Sequence, residues 1–185
     1  MNTSSGPRIE VVVQLPATWR LLPLHEADLS DSGHPPEDTD EIRAAAELVG
    51  LAGREAVRLA AFGPLDLGPG RAPARGAMTV AVRDGDPVLP LDTAAAMLGT
   101  SRVGMRILAL GGPCGYLEWT RTVDEGAGLR AEIGQHWVPF PEDDRVAVIT
   151  VVALSSGRIP MDALRAFADR MAFADSDGTI VLPHP

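Results

Sequence analysis

No lysine occurs in the 185 residues; all 16 basic side chains are arginine. That removes chemistry built on a lysine amine: Schiff bases, pyridoxal phosphate attachment and the phosphate-cradling P-loop. Cysteine is nearly absent as well. Cys114 stands alone, so no internal disulfide forms, and nothing in cysteine usage points to an oxidising compartment. Aromatic residues make up 4% of the chain and its formal net charge is −9. Nucleic-acid binding draws on clustered cations that neutralise phosphates, and no basic stripe interleaved with aromatics is present. Nucleic acid and anionic membrane are therefore not expected partners, whereas a basic protein is compatible with the charge. Long apolar runs are missing too. The longest, Val146 to Leu154, falls well short of the roughly 18 residues that a membrane helix needs. Residues Met1 to Pro7 lack a basic start and an apolar segment, so they read as a short disordered tail and not a secretory signal, and a cytoplasmic location is expected.

What is present fits one domain. A chain of this length buries roughly 70% of the surface its unfolded form exposes, enough for a core without staples. The division expected is a tail over 1–8 and a single α/β domain over 9–185. The run Val146-Ala-Val-Ile-Thr-Val-Val-Ala-Leu154 is apolar on both faces, so it predicts a strand in the middle of a sheet covered on two sides. Three more strand candidates precede it, over 102–110, 115–123 and 131–140. They are separated by Gly111-Gly112-Pro113, by Asp124 to Gly128 and, before the last, by Glu142-Asp143-Asp144. Short polar turns of this kind predict antiparallel neighbours.

Other elements are expected around this meander. Ile9 to Leu15 is strand-like. His25 to Asp40, with Pro35-Pro36 at its centre, reads as a solvated loop. Asp38 and Glu41 resemble an N-terminal capping pair, and apolar residues from Ile42 to Ala60 recur at helical spacing until Gly63-Pro64 stops them. A second loop is expected over 63–76. Met78 to Arg83 then alternates as a strand, with Asp84-Gly85 as a tight turn toward Val88 to Leu91. A short helix is predicted from Asp92 or Thr93 to Leu98. The closing helix runs from Met161 to Phe173, with Met161, Leu164, Phe167, Ala168 and Met171 on one face.

Several groupings could carry chemistry, and each also has a plainer reading. Cys114, in Gly111-Gly-Pro-Cys-Gly115, suggests a nucleophile with His136 as its base. If the intervening hairpin turns near Ala127, however, His136 lies opposite Glu118 and roughly 13 Å along the strand from Cys114. That exceeds the reach of proton transfer, and a buried thiol at a turn is the expected outcome. Glu118 and His136 then share a face with Thr120 and Thr122. They are either a ligand-facing acid/base pair or a cross-strand polar contact on a partly wet face. Leu117, Trp119, Trp137 and Val148 fall on the opposite face as core or pocket lining. His25 and His34 match no metal-ligand frame, and Asp175-Ser-Asp-Gly178 lacks the ligands of a calcium loop. Gly68 to Gly76 reads as a linker that leaves Arg71 and Arg75 to meet an acidic partner. No metal or cofactor is expected.

The order of elements resembles the PsbP-like family. The resemblance is carried by Leu15-Pro-x-x-Trp19, a long early helix, a meander, Trp137-Val-Pro-Phe-Pro141, an apolar strand and a terminal helix ending over Phe167 to Phe173. That family includes an extrinsic photosystem subunit, a Ran-release factor and many small actinobacterial proteins, and the arginine-only, alanine-rich composition looks like a high-GC source of that kind. The resemblance implies an α+β class, with a mostly antiparallel sheet flanked by helices in an α/β/α sandwich. It also implies action by binding, with no catalytic residues to carry over. The expectation is a non-enzymatic protein-binding or accessory module, which fold-level analogy ties to a secretion or toxin-immunity system. The alternative is a small-molecule-binding domain or enzyme using Glu118 and His136.

Overall fold

The run expected at the centre of a sheet lies there. The computed structural model describes residues 10–13, 15–22, 24, 56–84, 101–108, 112–124, 128–140, 145–155 and 161–174. Its strands are β1 (Glu10–Val13), β2 (Arg20–Leu21), β3 (Val57–Leu65), β4 (Ala74–Asp84), β5 (Ser101–Leu108), β6 (Gly112–Asp124), β7 (Leu129–Pro139), β8 (Arg145–Ser155) and β9 (Met171–Ala174), with helix α1 (Met161–Ala168) before β9. Seven of them form one sheet in the order β2-β3-β4-β8-β7-β6-β5, and β1 pairs separately with β9. Every pairing is antiparallel. β8 is the fourth of the seven and is buried from Val146 to Ala153. A strand with no polar face is stable only where neighbours close both of its edges and other side chains cover both of its faces.

The four-strand meander appears within a few residues of its expected limits. Flanking helical layers do not appear among the described residues. α1 is the one helix among the described residues, so the architecture they form is all-β, and the α/β/α sandwich expectation is corrected. Two segments account for the difference. The helix expected up to Ala60 runs into β3, whose pairing with β4 shifts between Val57 and Leu59. That bulge puts Val57 on the same face as Ala60 and Phe62, and one extra residue in a strand imitates the three-residue step of a helix. Gly63-Pro64 does not stop the element, because the Pro64 carbonyl points toward Trp19, whose indole N–H it accepts at 2.8 Å. The missing Pro64 N–H lies on that same side, where β2 pairs only with Ala61 and Phe62, so no ladder bond is lost. The closing helix ends at Ala168, five residues before its expected end, since Met171 to Ala174 pair with Val13 to Glu10.

The expected loop over 63–76 is shorter, as β3 reaches Leu65 and β4 starts at Ala74. The loop 25–40, the bulk of the helix expected from Asp38, the turn after Asp84, the helix near Asp92 and the motif Asp175 to Gly178 lie outside the described residues, as do His25 and His34. No helix among the described residues is long and apolar enough to cross a membrane.

One face of the sheet carries α1, which packs on β7 and β8. Met78, Val80, Cys114, Val138, Ile149 and Val151 on that face meet Leu164, Phe167 and Ala168 of the helix. The other face carries Phe62 and Ala77 at one end and Leu117, Trp137 and Val148 at the other, and Val103 and Trp119 pack against the latter group. Trp137 is therefore a core residue on the face expected of it, and half-buried Trp119 packs against the core on the same face.

Candidate functional site

The α1-bearing face holds the polar groups as well as the core. The β6–β7 pairing sets Tyr116 opposite His136 and Glu118 opposite Gly134, two residues from the expected register. A two-residue shift keeps every side chain on its face, so Glu118 and His136 share one, but they are diagonal neighbours and do not face each other. The irregularity between Thr122 and Asp124 accounts for one residue of that shift, and a turn closer to β6, already present where Asp124 pairs with Leu129, accounts for the other.

Glu118 is 2% exposed and is held by an arginine from the helix. Arg165 donates from Nε to Oε1 at 2.5 Å and from Nη2 to Oε2 at 2.6 Å. Its Nη1 donates to Asp162 at 3.2 Å, one turn back. The guanidinium carbon lies 5.5 Å from the centroid of the Tyr116 ring, within cation–π range. Tyr116 in turn leans on β5, where a Cβ at Gly104 would fall 2.8 Å from its hydroxyl. The hydrogen bond to Glu118 is the main reason the Arg165 pKa is raised above its ordinary value. A carboxylate whose two oxygens face a planar guanidinium is a fixed counter-ion, held in place by two charge-assisted hydrogen bonds.

His136 is fully buried and sits beside a second arginine. Arg106, from β5, donates twice from Nη2 to Asp169, at 2.7 and 2.8 Å, and its Nη1 lies 3.1 Å from His136 Nε2. Guanidinium groups have no acceptor, so Nε2 accepts and the ring proton is on Nδ1. Among the described residues Nδ1 has no hydrogen-bond partner. Burial first, then the charges of Arg106 and Arg165, push the His136 pKa down to about 3. The imidazole is thus neutral, with its lone pair already engaged, and is a poor general base.

Cys114 is two residues from the Tyr116–His136 pair along β6, nearer than the expected four. Its thiol is fully buried, and burial, partly offset by Arg106, pushes its pKa up to about 11. A protonated, water-excluded thiol is not a nucleophile, in keeping with the packed role expected for it. Among the described residues no group of three or more His, Cys, Asp and Glu could hold a metal ion. Arg71 is exposed in the β3–β4 loop, where its N–H closes a turn onto the Gly68 carbonyl at 3.3 Å. Arg75 is exposed on β4, in register with Pro64 and Leu154. It belongs to a strand and not to the expected linker, and neither arginine approaches Glu118 or His136 in the pairing.

A second feature lies at the other end of this face. Trp19, 6% exposed, lies against two glycines. A Cβ at Gly63 would come within 2.9 Å of the Trp19 Cα, and one at Gly76 within 2.8 Å of its ring. The indole stacks on Phe167 of α1 with centroids 4.3 Å apart and an interplanar angle of 27°. Beside this stack runs a groove of about 720 Å³ between the β3–β4 loop and α1. Leu65, Leu67, Trp19 and Phe167 line its apolar floor, with Asp66 and Asp162 among its polar lining. Its size falls within the range of ligand-binding clefts. The only sequence signals were Leu15-Pro-x-x-Trp19 and the paired glycines of β3 and β4, and nothing in a single sequence joins Trp19 to Gly63 and Gly76, 44 and 57 residues on.

No family model matches this chain, and no curated protein matches it.

Proposed function

We propose that this protein is a non-enzymatic binding module that engages another protein through the groove between α1 and the β3–β4 loop. The observation that carries this reading is the contrast within one face. Glu118, His136 and Cys114 are buried and bound by arginines or held uncharged, while the groove beside Trp19 is apolar, concave and open to a visitor. A site for acid/base chemistry needs a group that can exchange a proton with a substrate, and here Glu118 and His136 are engaged by Arg165 and Arg106 while Cys114 is buried. A groove backed by a stacked aromatic pair and a short loop has the character of a recognition surface.

The test is co-purification from the native host with two forms of the full chain. One is native, and the other carries Ala166→Trp, which fills the groove from an exposed helical position. The expected result is a stoichiometric protein recovered with the native chain and lost with the variant, while circular dichroism of the two is the same. Equal recovery by both, or none by either, contradicts the proposal.

A further inference from the structure

The geometry points to a cationic protein segment as the occupant of this groove: an arginine or lysine next to one apolar side chain. This rests on the groove being the binding surface, and it adds the chemistry of the partner. The apolar floor formed by Leu65, Leu67 and Phe167 accommodates an aliphatic or aromatic side chain, as hydrophobic anchors in recognition sites require. The charges around the floor select what flanks that anchor. Asp66, exposed, comes from the loop, and Asp162, with its side chain 89% exposed, comes from the first turn of α1. Arg170 is the one cation among the lining residues, and it lies 6.0 Å over the Phe167 ring.

Each carboxylate is only partly used by the protein itself. One Asp66 oxygen accepts the Gly68 N–H at 2.9 Å, and one Asp162 oxygen accepts from Arg165 at 3.2 Å. A carboxylate offers about four acceptor positions, so both retain capacity for an incoming guanidinium or ammonium. The net charge of −9 over the whole chain works in the same direction, drawing cationic segments in and repelling acidic ones. An acidic peptide of equal apolar content would meet two carboxylates and a single arginine.

The experiment is selection from a random linear heptapeptide phage library on the full chain, with clones that also bind the Ala166→Trp variant discarded. The clones left depend on the groove and not on the general acidity of the surface, because the substitution leaves the charge unchanged. The proposal expects Arg and Lys to outnumber Asp and Glu among them at least about threefold. It also expects a peptide synthesised from the consensus to lose about fivefold to tenfold in affinity for the double variant Asp66→Asn, Asp162→Asn, the size two rim charges supply. Asparagine preserves the Asp66 turn, so that variant keeps its loop. Groove-dependent clones that are neutral or acidic, or an affinity unmoved by the double variant, would overturn the cationic partner and leave the groove standing. An absence of groove-dependent clones would remove both.

Discussion

The two ends of the α1-bearing face are held by opposite means. At the β3–β4 end an indole lies on bare glycine backbone and stacks on Phe167; at the β5–β7 end two arginines reach in to buried polar groups. Both arrangements close on the same helix, since Arg165 and Phe167 are two residues apart. Contact area and dispersion dominate the first end, and charge-assisted hydrogen bonds the second. The difference separates an end whose polar side chains are engaged by arginines from one whose buried aromatic stack borders a groove. Polar groups under a helix must satisfy one another or destabilise the fold, whereas an aromatic stack leaves a neighbouring surface for something else to cover.

The largest expected effect breaks the apolar end. Trp19→Ala should cost about 3–5 kcal/mol in urea unfolding, the usual range for losing a buried tryptophan. Gly63→Ala should cost about 1–3 kcal/mol, because its new methyl meets the Trp19 backbone, which cannot swing away. A loss below about 0.5 kcal/mol in both would show that the indole is not seated on the glycines.

At the polar end, Arg165→Leu should cost about 3 kcal/mol by leaving the Glu118 carboxylate buried and unpaired. The double variant Glu118→Leu, Arg165→Leu should recover most of that loss, and a simple sum of the two single effects would argue that they do not form a unit. An effect of comparable size separates the ends by pH. His136 has a folded pKa of about 3 against an ordinary 6.5, so below pH 6.5 the unfolded chain takes up a proton that the folded chain refuses. Its contribution is complete above pH 6.5 and is lost as pH falls toward 3, at roughly 1.4 kcal/mol per pH unit. Stability of the native chain minus that of His136→Gln, measured from pH 7 to 4, should therefore fall; a flat difference would contradict a buried neutral imidazole. The smallest effect belongs to β5, where Met105 is 71% exposed. Met105→Thr should change stability by less than about 0.5 kcal/mol.

What the sequence disclosed follows from the range of the forces involved. Val146 to Leu154 carries no polar face, so its place in mid-sheet was readable, and the short polar turns around 124–128 and 142–144 fixed the meander. Alternation alone put Glu118 with His136 and Trp119 with Trp137 on opposite faces. One residue of the two-residue slip in register comes from a bulge near Thr122, which leaves no mark in composition. The same device at Val57 gave the start of β3 a helical spacing, so the helix expected up to Ala60 was carried into a strand over its last four residues. Arg165, Arg106 and Asp169 were illegible as partners of Glu118 and His136, since those contacts span 30 to 63 residues. Asp162 and Arg165, three apart on α1, were the one local hint. The seat of Trp19 was hidden for the same reason.

The most direct measurement follows the indole N–H resonances of the three tryptophans in a nitrogen-15 labelled chain, titrated with the consensus heptapeptide or the recovered partner. The Trp19 signal, whose proton is bonded to the Pro64 carbonyl, should shift on binding, while those of Trp119 and Trp137 stay within their line widths. A stationary Trp19 signal with movement at Trp119, Trp137 or the His136 ring would place recognition away from the groove and contradict the account.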